Sequence, residues 1–221
     1  TKFVQDFVGK QVIKISSHYF QSNISVKKIT YPFFNKINLN DICLYDENKD
    51  TLIYSKKIVL NFKYNFTKKE FTISKLQLDS SFINFIIDKN NTLNLEYFLK
   101  KLVIKNKKDT IHKITVALNE LKILDSRFYL TNLQNLDIKK DSIINFSKLR
   151  LNSLNIELRS FHIQDSVGFI IKKLSFIESS GFKLNNLSCI FKVYKSFLKF
   201  KDVEISTDYS KIIAEKIYLL F

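Results

Sequence analysis

The stretch KKIVLNFKYNF, residues 56–66, alternates between apolar and polar side chains almost without interruption. Its regularly spaced apolar side chains are Ile58, Leu60, Phe62, Tyr64 and Phe66. A period of two residues is typical of a β-strand with one apolar face and one polar face. The stretch therefore predicts a strand, and it raises the question of what its apolar face contacts.

The same alternation recurs along most of the chain, from residue 24 to residue 221. Ten segments show it: 24–31, 37–46, 51–66, 70–88, 114–132, 147–163, 168–178, 181–194, 196–207 and 211–221. Two segments have helical spacing instead, an amphipathic helix over residues 2–20 and a short helix over 91–103. The pattern predicts a mostly β fold, an elongated antiparallel sheet over 23–221 preceded by a helical segment over 1–22. A closed sandwich is the usual alternative for an all-β chain.

Composition agrees with a folded β protein that has unusual turns. Hydrophobic residues make up 45% and aromatic residues 14% of the 221 residues, which is enough for a core. The chain has three glycines and one proline, so its turns must use other residues. DENKD (46–50) and DKNN (88–91) are predicted turns, because Asp and Asn hydrogen-bond their own backbone and tolerate left-handed conformations.

The net charge of +15 predicts attraction to phosphate, whether in lipid headgroups or in nucleic acid. An alternative is that the lysine content is high for the same reason as the contents of Asn, Ile and Phe, as in proteins from AT-rich genomes. Only Arg127, Arg150 and Arg159 among the 36 basic residues are arginine. Since base and phosphate recognition usually employs the arginine fork, we expect no nucleic-acid partner.

Residue patterns of enzymes and metal sites are absent from the sequence. Cys43 and Cys189 lie in alternating segments, where buried free thiols are the expected state and one disulfide is the alternative. His18, His112 and His162 are isolated, and no nucleophile or nucleotide-binding motif occurs. We expect no catalytic residues, no metal and no cofactor, and a protein that is not an enzyme.

Several motifs in order resemble those of one protein family. They lie at Ile24 to Ile29, Phe33 to Asp46, Asp50 to Ile58, residues 83–102 and residues 179–188. In this order they resemble the N-terminal region of TamB-like translocation and assembly module proteins of the Bacteroidetes type. The membrane anchor and the long C-terminal β region of that family have no counterpart here, so we expect a membrane-proximal part of such a protein.

The resemblance implies a U-shaped antiparallel sheet, the β-taco of AsmA-like and TamB-like proteins, with an apolar concave face. It implies a periplasmic protein anchored in the inner membrane through a missing N-terminal segment. The implied function is carriage of phospholipid between the inner and outer membranes, or support of outer-membrane protein assembly. The implied partners are phospholipid and an outer-membrane assembly protein of the Omp85 type.

Alternation selects the residues that would line such a groove. They are Ile58, Leu60, Phe62, Tyr64, Phe66, Phe71, Ile73, Leu149, Leu151, Leu154, Ile156, Leu158, Leu187, Cys189, Phe191, Val193, Ile213, Ile217 and Leu219. The alternative for each is an ordinary core position under the helix at 91–103.

Two other function classes are compatible with the sequence. The chain could be a β-scaffold that docks partner proteins by edge-strand addition, for which residues 211–221 are suited. It could also be a basic nucleic-acid-binding β protein. That function needs aromatic and lysine side chains on one face, and residues 56–66 place them on opposite faces.

Overall fold

Ten β-strands make up nearly all of the described chain. The structure, a computed structural model, describes residues 24–65, 67, 70–96, 113–134, 144–163, 167–194 and 196–220. The strands are β1 (Ile24–Phe33), β2 (Lys36–Tyr45), β3 (Thr51–Asn65), β4 (Glu70–Ile87), β5 (Lys113–Asn132), β6 (Lys148–Ile163), β7 (Val167–Glu178), β8 (Lys183–Val193), β9 (Phe197–Thr207) and β10 (Lys211–Leu220). Each predicted alternating segment corresponds to one strand, which confirms the mostly β prediction.

The strands form one open sheet in chain order, with β1 and β10 at its two edges. Neighbouring strands are antiparallel except β4 and β5, which are parallel. The prediction of a wholly antiparallel sheet was therefore wrong at this pair. Residues 88–112 separate the two strands, and a connection of this length is what a return to the same end of a sheet requires.

The predicted helices lie largely outside the described residues. The amphipathic helix over 2–20 and the boundary at residue 22 are outside them entirely. Of the helix predicted over 91–103, residues 94–96 are helical in the described part. They follow a turn in which the Asp88 carboxylate accepts the backbone N–H groups of Asn90 and Thr92, each at 2.8 Å. The turn at 46–50 has the same form around Asp46, so both predicted turns are confirmed.

Along one line across the sheet, each of the first six strands changes which of its residues face the apolar side. The core residues that flank the change are an odd number of positions apart, although alternation requires an even number. The pairs are Val26 and Ile29, Leu39 and Ile42, Ile53 and Ile58, Leu78 and Ile83, Ile123 and Phe128, and Leu151 and Leu154. Two successive residues therefore face the opposite side in each strand, and the strand bends there as at a β-bulge.

Residues with positive φ mark this line, which we call the crease. Asp41, Ser80, Asp125 and Ser153 have φ of 48°, 48°, 44° and 50°, and they lie in β2, β4, β5 and β6. Short polar side chains are among those that tolerate the left-handed region. In a chain with three glycines, Asp and Ser therefore take the positions where the backbone bends.

Buried serines join the strands beside the crease. The Ser81 hydroxyl lies 2.7 Å from that of Ser55, and the Ser81 N–H donates to the Ser126 hydroxyl at 3.0 Å. Ser55 and Ser126 also donate to backbone carbonyls, those of Lys57 and Leu124. All three serines are buried. Small side chains fit a bend, and their hydroxyls satisfy backbone groups that the interrupted ladder leaves unpaired.

The main cluster of buried side chains lies on the apolar side of the sheet, in β1–β7. Its buried members are Ile42, Ile58, Leu78, Ile83, Ile123, Leu151 and Leu154. Cys43 in β2 and Cys189 in β8 are both free thiols; Cys189 is buried as predicted, whereas Cys43 is only half-buried. Burial raises the pKa of the Cys189 thiol.

Candidate functional site: the apolar face of the sheet

One row of aliphatic side chains crosses all ten strands. Its members are paired in register from each strand to the next, and every one is Ile or Leu: Ile29, Leu39, Ile58, Leu78, Ile123, Ile156, Leu174, Leu187, Ile205 and Ile212. Paired residues in neighbouring strands project to the same side of a sheet. The row therefore makes one continuous aliphatic path from β1 to β10, and we call the side that carries it the apolar face.

Four phenylalanines extend this face across β6–β9, and we call them the phenylalanine ladder. The rings of Phe161 and Phe169 are 5.7 Å apart, those of Phe169 and Phe191 are 4.8 Å apart, and those of Phe191 and Phe200 are 5.0 Å apart. All four are half-buried. In β10, Ile217 pairs with Phe200 and so extends this row of side chains by one strand. The ladder is a broad aromatic surface that remains partly accessible.

Most of the predicted groove residues lie on the apolar face, in two states of burial. Ile58, Phe62, Leu151, Leu154 and Cys189 are buried. The half-buried residues are Leu60, Ile73, Leu149, Ile156, Leu158, Leu187, Phe191, Val193 and Ile217. Tyr64 and Phe71 are described only by their pairing in the β3–β4 ladder, and Phe66 lies outside the described residues.

Ile213 is placed apart from the other predicted groove residues. It pairs with Glu204 on the opposite face and is 73% exposed. Its neighbour Ile212 pairs with Ile205 and belongs to the aliphatic row. In β10 the alternation shifts by one residue at Glu215, which lies opposite Asp202 of β9. The φ of Asp202 is 52°. Simple alternation back from Ile217 therefore selects the wrong residue.

Sequence reasoning missed several residues of this face, including Phe161, Phe169 and Phe200. Alternation within 168–178 and 196–207 was visible, but lysine pairs such as Lys172–Lys173 interrupt it where the strand changes face. Their exposed side chains confirm that both point outwards. Two adjacent polar residues inside an alternating segment are the signal that would have located this change.

Exposure of the apolar face increases from the centre of the sheet towards β10. The buried cluster and the residues packed on it belong to β1–β7. Among the described residues of β10, Lys211–Leu220, no apolar side chain is buried. Leu219 is on the apolar face and is 51% exposed. Cys189 in β8 and Val203 in β9 are still buried, so the face is accessible beside them, at the half-buried phenylalanines, and most of all in β10.

The opposite face is polar and carries an ion-pair network across β4, β5 and β6. The Glu120 carboxylate lies 2.8 Å from the Lys75 ammonium and 3.0 Å from that of Lys122. Lys122 also lies 3.7 Å from Glu157, which pairs with Arg159. Hydrogen bonds from Lys75 and Lys122 lower the pKa of Glu120 to about 2. This face is therefore built to remain in water.

Aromatic rings on the polar face are covered by arginine. The Phe82 and Tyr129 rings meet edge to face at 5.0 Å. The Arg127 guanidinium lies 5.4 Å from the centre of Phe82, and that of Arg150 lies 4.6 Å from the centre of Tyr129. Arg150 also donates to the carbonyls of Leu130 and Leu149. Its donors are used within the sheet, so this cluster has a structural role.

The two ends of the sheet differ in charge. Lys36, Lys63 and Lys192 lie at or near strand ends, beside the β1–β2, β3–β4 and β8–β9 connections. At the opposite end, Asp46 and Glu178 accept hydrogen bonds within their own turns. Burial raises the pKa of Glu178, but hydrogen bonds from Ser180 and Ser179 outweigh it and lower the pKa to about 2. The opposite end also carries lysines, among them Lys183 and Lys211, but carboxylates such as Asp208 balance them, so we call the end with Lys36, Lys63 and Lys192 the basic end.

The described residues hold no group of three or more His, Cys, Asp or Glu side chains that could bind a metal ion. Within the same ranges, no helix is long and apolar enough to cross a membrane. No protein-family model matches the chain, and no curated protein matches it.

Proposed function

We propose that this protein carries phospholipid by holding acyl chains against its apolar face. The single observation that carries the proposal is the aliphatic row, which continues through all ten strands. All described strands belong to one sheet, so no second sheet packs on this face in the described part of the chain. An apolar path of this length that is partly accessible suits an extended hydrocarbon ligand.

On this proposal, the sheet folds along the crease into a U-shaped trough, the β-taco form. The bends at Asp41, Ser80, Asp125 and Ser153 lie in one line across the sheet and support it. A trough formed in this way runs across the strands, parallel to the aliphatic row. The buried residues of β2–β6 form its floor, and the phenylalanine ladder lines its accessible part.

The energetic need for such a path is large. An acyl chain that leaves a bilayer exposes about fifteen methylenes, each costing about 0.8 kcal/mol in water, or about 12 kcal/mol in all. Contact with the apolar face offsets most of this cost. The headgroup stays in water at the basic end, where Lys36, Lys63 and Lys192 attract phosphate. No covalent step is needed, so the protein acts without catalytic residues, metal or cofactor.

The cellular setting follows from the resemblance to TamB-like proteins. The protein is periplasmic, anchored in the inner membrane by a segment that precedes the chain. It passes phospholipid between inner and outer membranes or supports assembly of outer-membrane proteins through an Omp85-type partner. The net charge of +15 and the ordered motifs support this setting.

Transfer of a fluorescent phospholipid between two vesicle populations tests lipid carriage. We expect the purified chain to accelerate transfer, and the double variant Phe191→Asp/Phe200→Asp to abolish the acceleration. The matched control is Lys201→Asp, which places the same side chain on the polar face beside Phe200. Circular dichroism and thermal unfolding verify that each variant is folded. Equal transfer by the two variants would contradict the proposal.

The second candidate function is a β-scaffold that docks proteins by edge-strand addition. One observation favours it: β10 is an edge strand with exposed apolar side chains, among them Ile213 and Leu220. Partner binding by this edge would survive the Phe191→Asp/Phe200→Asp change, whereas lipid carriage would not. The two functions are therefore separable with the same variants.

A further inference from the structure

Two lysines face each other across β8 and β9. Lys192 in β8 pairs directly with Lys199 in β9, and paired residues project to the same side of a sheet with their Cβ atoms about 5 Å apart. Their chain neighbours Phe191 and Phe200 pair on the apolar face, so both lysines lie on the polar face. Both β8 and β9 have a neighbouring strand on each side. The lysine pair therefore belongs to the interior of the sheet.

No carboxylate neutralises this lysine pair within the described part of the chain. Beside the pair in the same row lie Gly168 of β7 and Tyr218 of β10, which carry no charge. Lys201, two residues further along β9, does have an acidic partner, with Asp202 at 3.7 Å. Like charges directly opposite each other destabilise a strand pair. An anion bound between the two ammonium groups would therefore relieve a repulsion that the fold leaves uncompensated.

Aromatic rings lie next to the two lysines, at the tip of the β8–β9 hairpin. The rings of Tyr194 and Phe197 stack with 4.4 Å between their centres, and the Tyr194 N–H donates to the Phe197 carbonyl at 2.9 Å. The ring of Tyr218 lies 5.9 Å from that of Phe197. The Lys199 ammonium lies 5.6 Å from the centre of Tyr218. We call Lys192, Tyr194, Phe197, Lys199 and Tyr218 the tip cluster.

The chemistry of the tip cluster fits the surface of a bilayer. Tyrosine rings are typical of the headgroup level of a membrane, and lysines near its surface attract anionic lipid. The cluster lies at the basic end of the sheet, as do Lys36 and Lys63. Nucleic acid fits less well, because the arginine fork that it usually recruits is absent: all three arginines lie in β5 and β6. The Tyr194 and Phe197 rings also cover each other instead of standing apart for bases.

We propose that the tip cluster docks this protein on the surface of a bilayer that contains anionic phospholipid. Lys192 and Lys199 contact lipid phosphates, which remove the repulsion between the two ammonium groups. The rings of Tyr194 and Phe197 lie among the headgroups, and the basic end of the sheet faces the membrane. This docking depends on the tip cluster and not on lipid carriage, because a chain that carried no lipid would still bind the surface.

Cosedimentation of the full chain with vesicles tests the docking. We expect binding to vesicles of phosphatidylcholine with phosphatidylglycerol, and binding at least about tenfold weaker to phosphatidylcholine alone. Lys192→Gln/Lys199→Gln should weaken binding to the anionic vesicles about tenfold or more. The matched control Lys172→Gln/Lys173→Gln removes the same charge from exposed positions of β7, about 15 Å along the strand. It should weaken binding less than about threefold, because that distance exceeds the Debye length of about 8–10 Å.

A single charge reversal separates docking from folding. Lys192→Glu places a carboxylate opposite Lys199, so the like-charge pair becomes a cross-strand ion pair and the Tm should equal or exceed that of the parent. The same change should abolish binding to the anionic vesicles, whereas Lys192→Arg should retain it. A folded Lys192→Glu chain that binds as the parent does would overturn the proposal. So would equal losses of binding in the two double variants.

Tryptophan fluorescence reports whether the tip enters the headgroup region. The chain has no tryptophan, so Phe197→Trp introduces one emitter at the tip. Tyr209→Trp introduces one at the opposite end of the sheet, in the β9–β10 turn, where Tyr209 is 98% exposed. Anionic vesicles should shift the emission of Phe197→Trp to shorter wavelength and leave that of Tyr209→Trp unchanged. Equal shifts in both variants, or a shift in neither, would contradict docking through this tip.

Single-stranded DNA is the comparison ligand in the same assays. A parent chain that binds DNA through Lys192 and Lys199 and does not bind the anionic vesicles would assign the tip cluster to nucleic acid and overturn the proposal. We expect the reverse, with vesicle binding that depends on both lysines.

Discussion

The Ser126 hydroxyl in β5 accepts the backbone N–H of Ser81 in β4, with 3.0 Å between oxygen and nitrogen. The bond lies where the ladder of the only parallel strand pair in the described sheet is interrupted, between Asp79–Leu124 and Phe82–Arg127. A side chain thus replaces a backbone acceptor at the crease. The same hydroxyl donates to the carbonyl of Leu124 at 2.8 Å.

Ser126→Ala removes both of these bonds and leaves a buried N–H without an acceptor. We expect a loss of about 1–3 kcal/mol in the free energy of unfolding. Urea denaturation monitored by circular dichroism measures it. Ser210→Ala, at an exposed turn position, is the control and should change the free energy of unfolding by less than about 0.5 kcal/mol. If the two variants unfolded at the same urea concentration, the buried serines would not stabilise the crease.

The left-handed backbone at Asp125 predicts how that position responds to substitution. Its φ is 44°, so a β-branched residue is strained there. Asp125→Val is expected to cost about 1–3 kcal/mol, whereas Asp125→Gly relieves backbone strain and is tolerated. Asn119→Val, at an exposed position of ordinary φ in the same strand, is the control. If valine were tolerated equally at 119 and 125, the crease would not depend on this conformation.

Leu154 shows how strongly the floor of the apolar face is packed. It is 2% exposed, at the change of face in β6. Leu154→Ala should cost about 2–5 kcal/mol in the free energy of unfolding, through lost burial and a cavity. Ile212→Ala removes a half-exposed side chain of the same face and should cost less than about 1 kcal/mol. Comparable losses would mean that the face is equally buried from centre to edge.

Glu120 makes the stability of the sheet depend on pH in the acid range. Its pKa is lowered from 4.5 to about 2 by hydrogen bonds from Lys75 and Lys122. The ion pairs therefore stabilise the fold fully above pH 4.5, and this contribution is lost as the pH falls towards about 2. Glu120→Gln should flatten this part of the curve of unfolding free energy against pH. Lys75→Gln removes one partner of Glu120 and should reduce the slope of unfolding free energy against pH in part. If Glu120→Gln left this slope unchanged, the acid dependence would not arise from Glu120.

The sequence was sufficient to predict the strands but not all of their orientations. Alternation locates each strand because burial on one face selects side chains with a period of two. The parallel pairing of β4 and β5 was signalled by a helical segment between two strands, which is typical of a crossover connection. Residues 91–103 carry that signal, but the prediction of an antiparallel sheet took no account of it.

Face assignment was less predictable because it depends on backbone bends that neighbouring strands share. Ile213 and Ile212 are chemically identical, and the change of face at Glu215, opposite Asp202, decides which of them joins the aliphatic row. Asp and Ser at positive φ carry little signal in a sequence, since both are common in turns and on exposed strand faces. Phe161, Phe169 and Phe200 of the phenylalanine ladder were missed for the same reason; in β7, for example, the change of face at Lys172 and Lys173 separates Phe169 from Leu174.

Photocrosslinking to phospholipid vesicles tests lipid carriage most directly. A photoreactive residue replaces Phe200 in the phenylalanine ladder in one variant and its neighbour Lys201 on the polar face in another. Lipid adducts at position 200 and none at position 201 are the predicted result. Adducts at neither position, or equally at both, would contradict an apolar face that holds acyl chains.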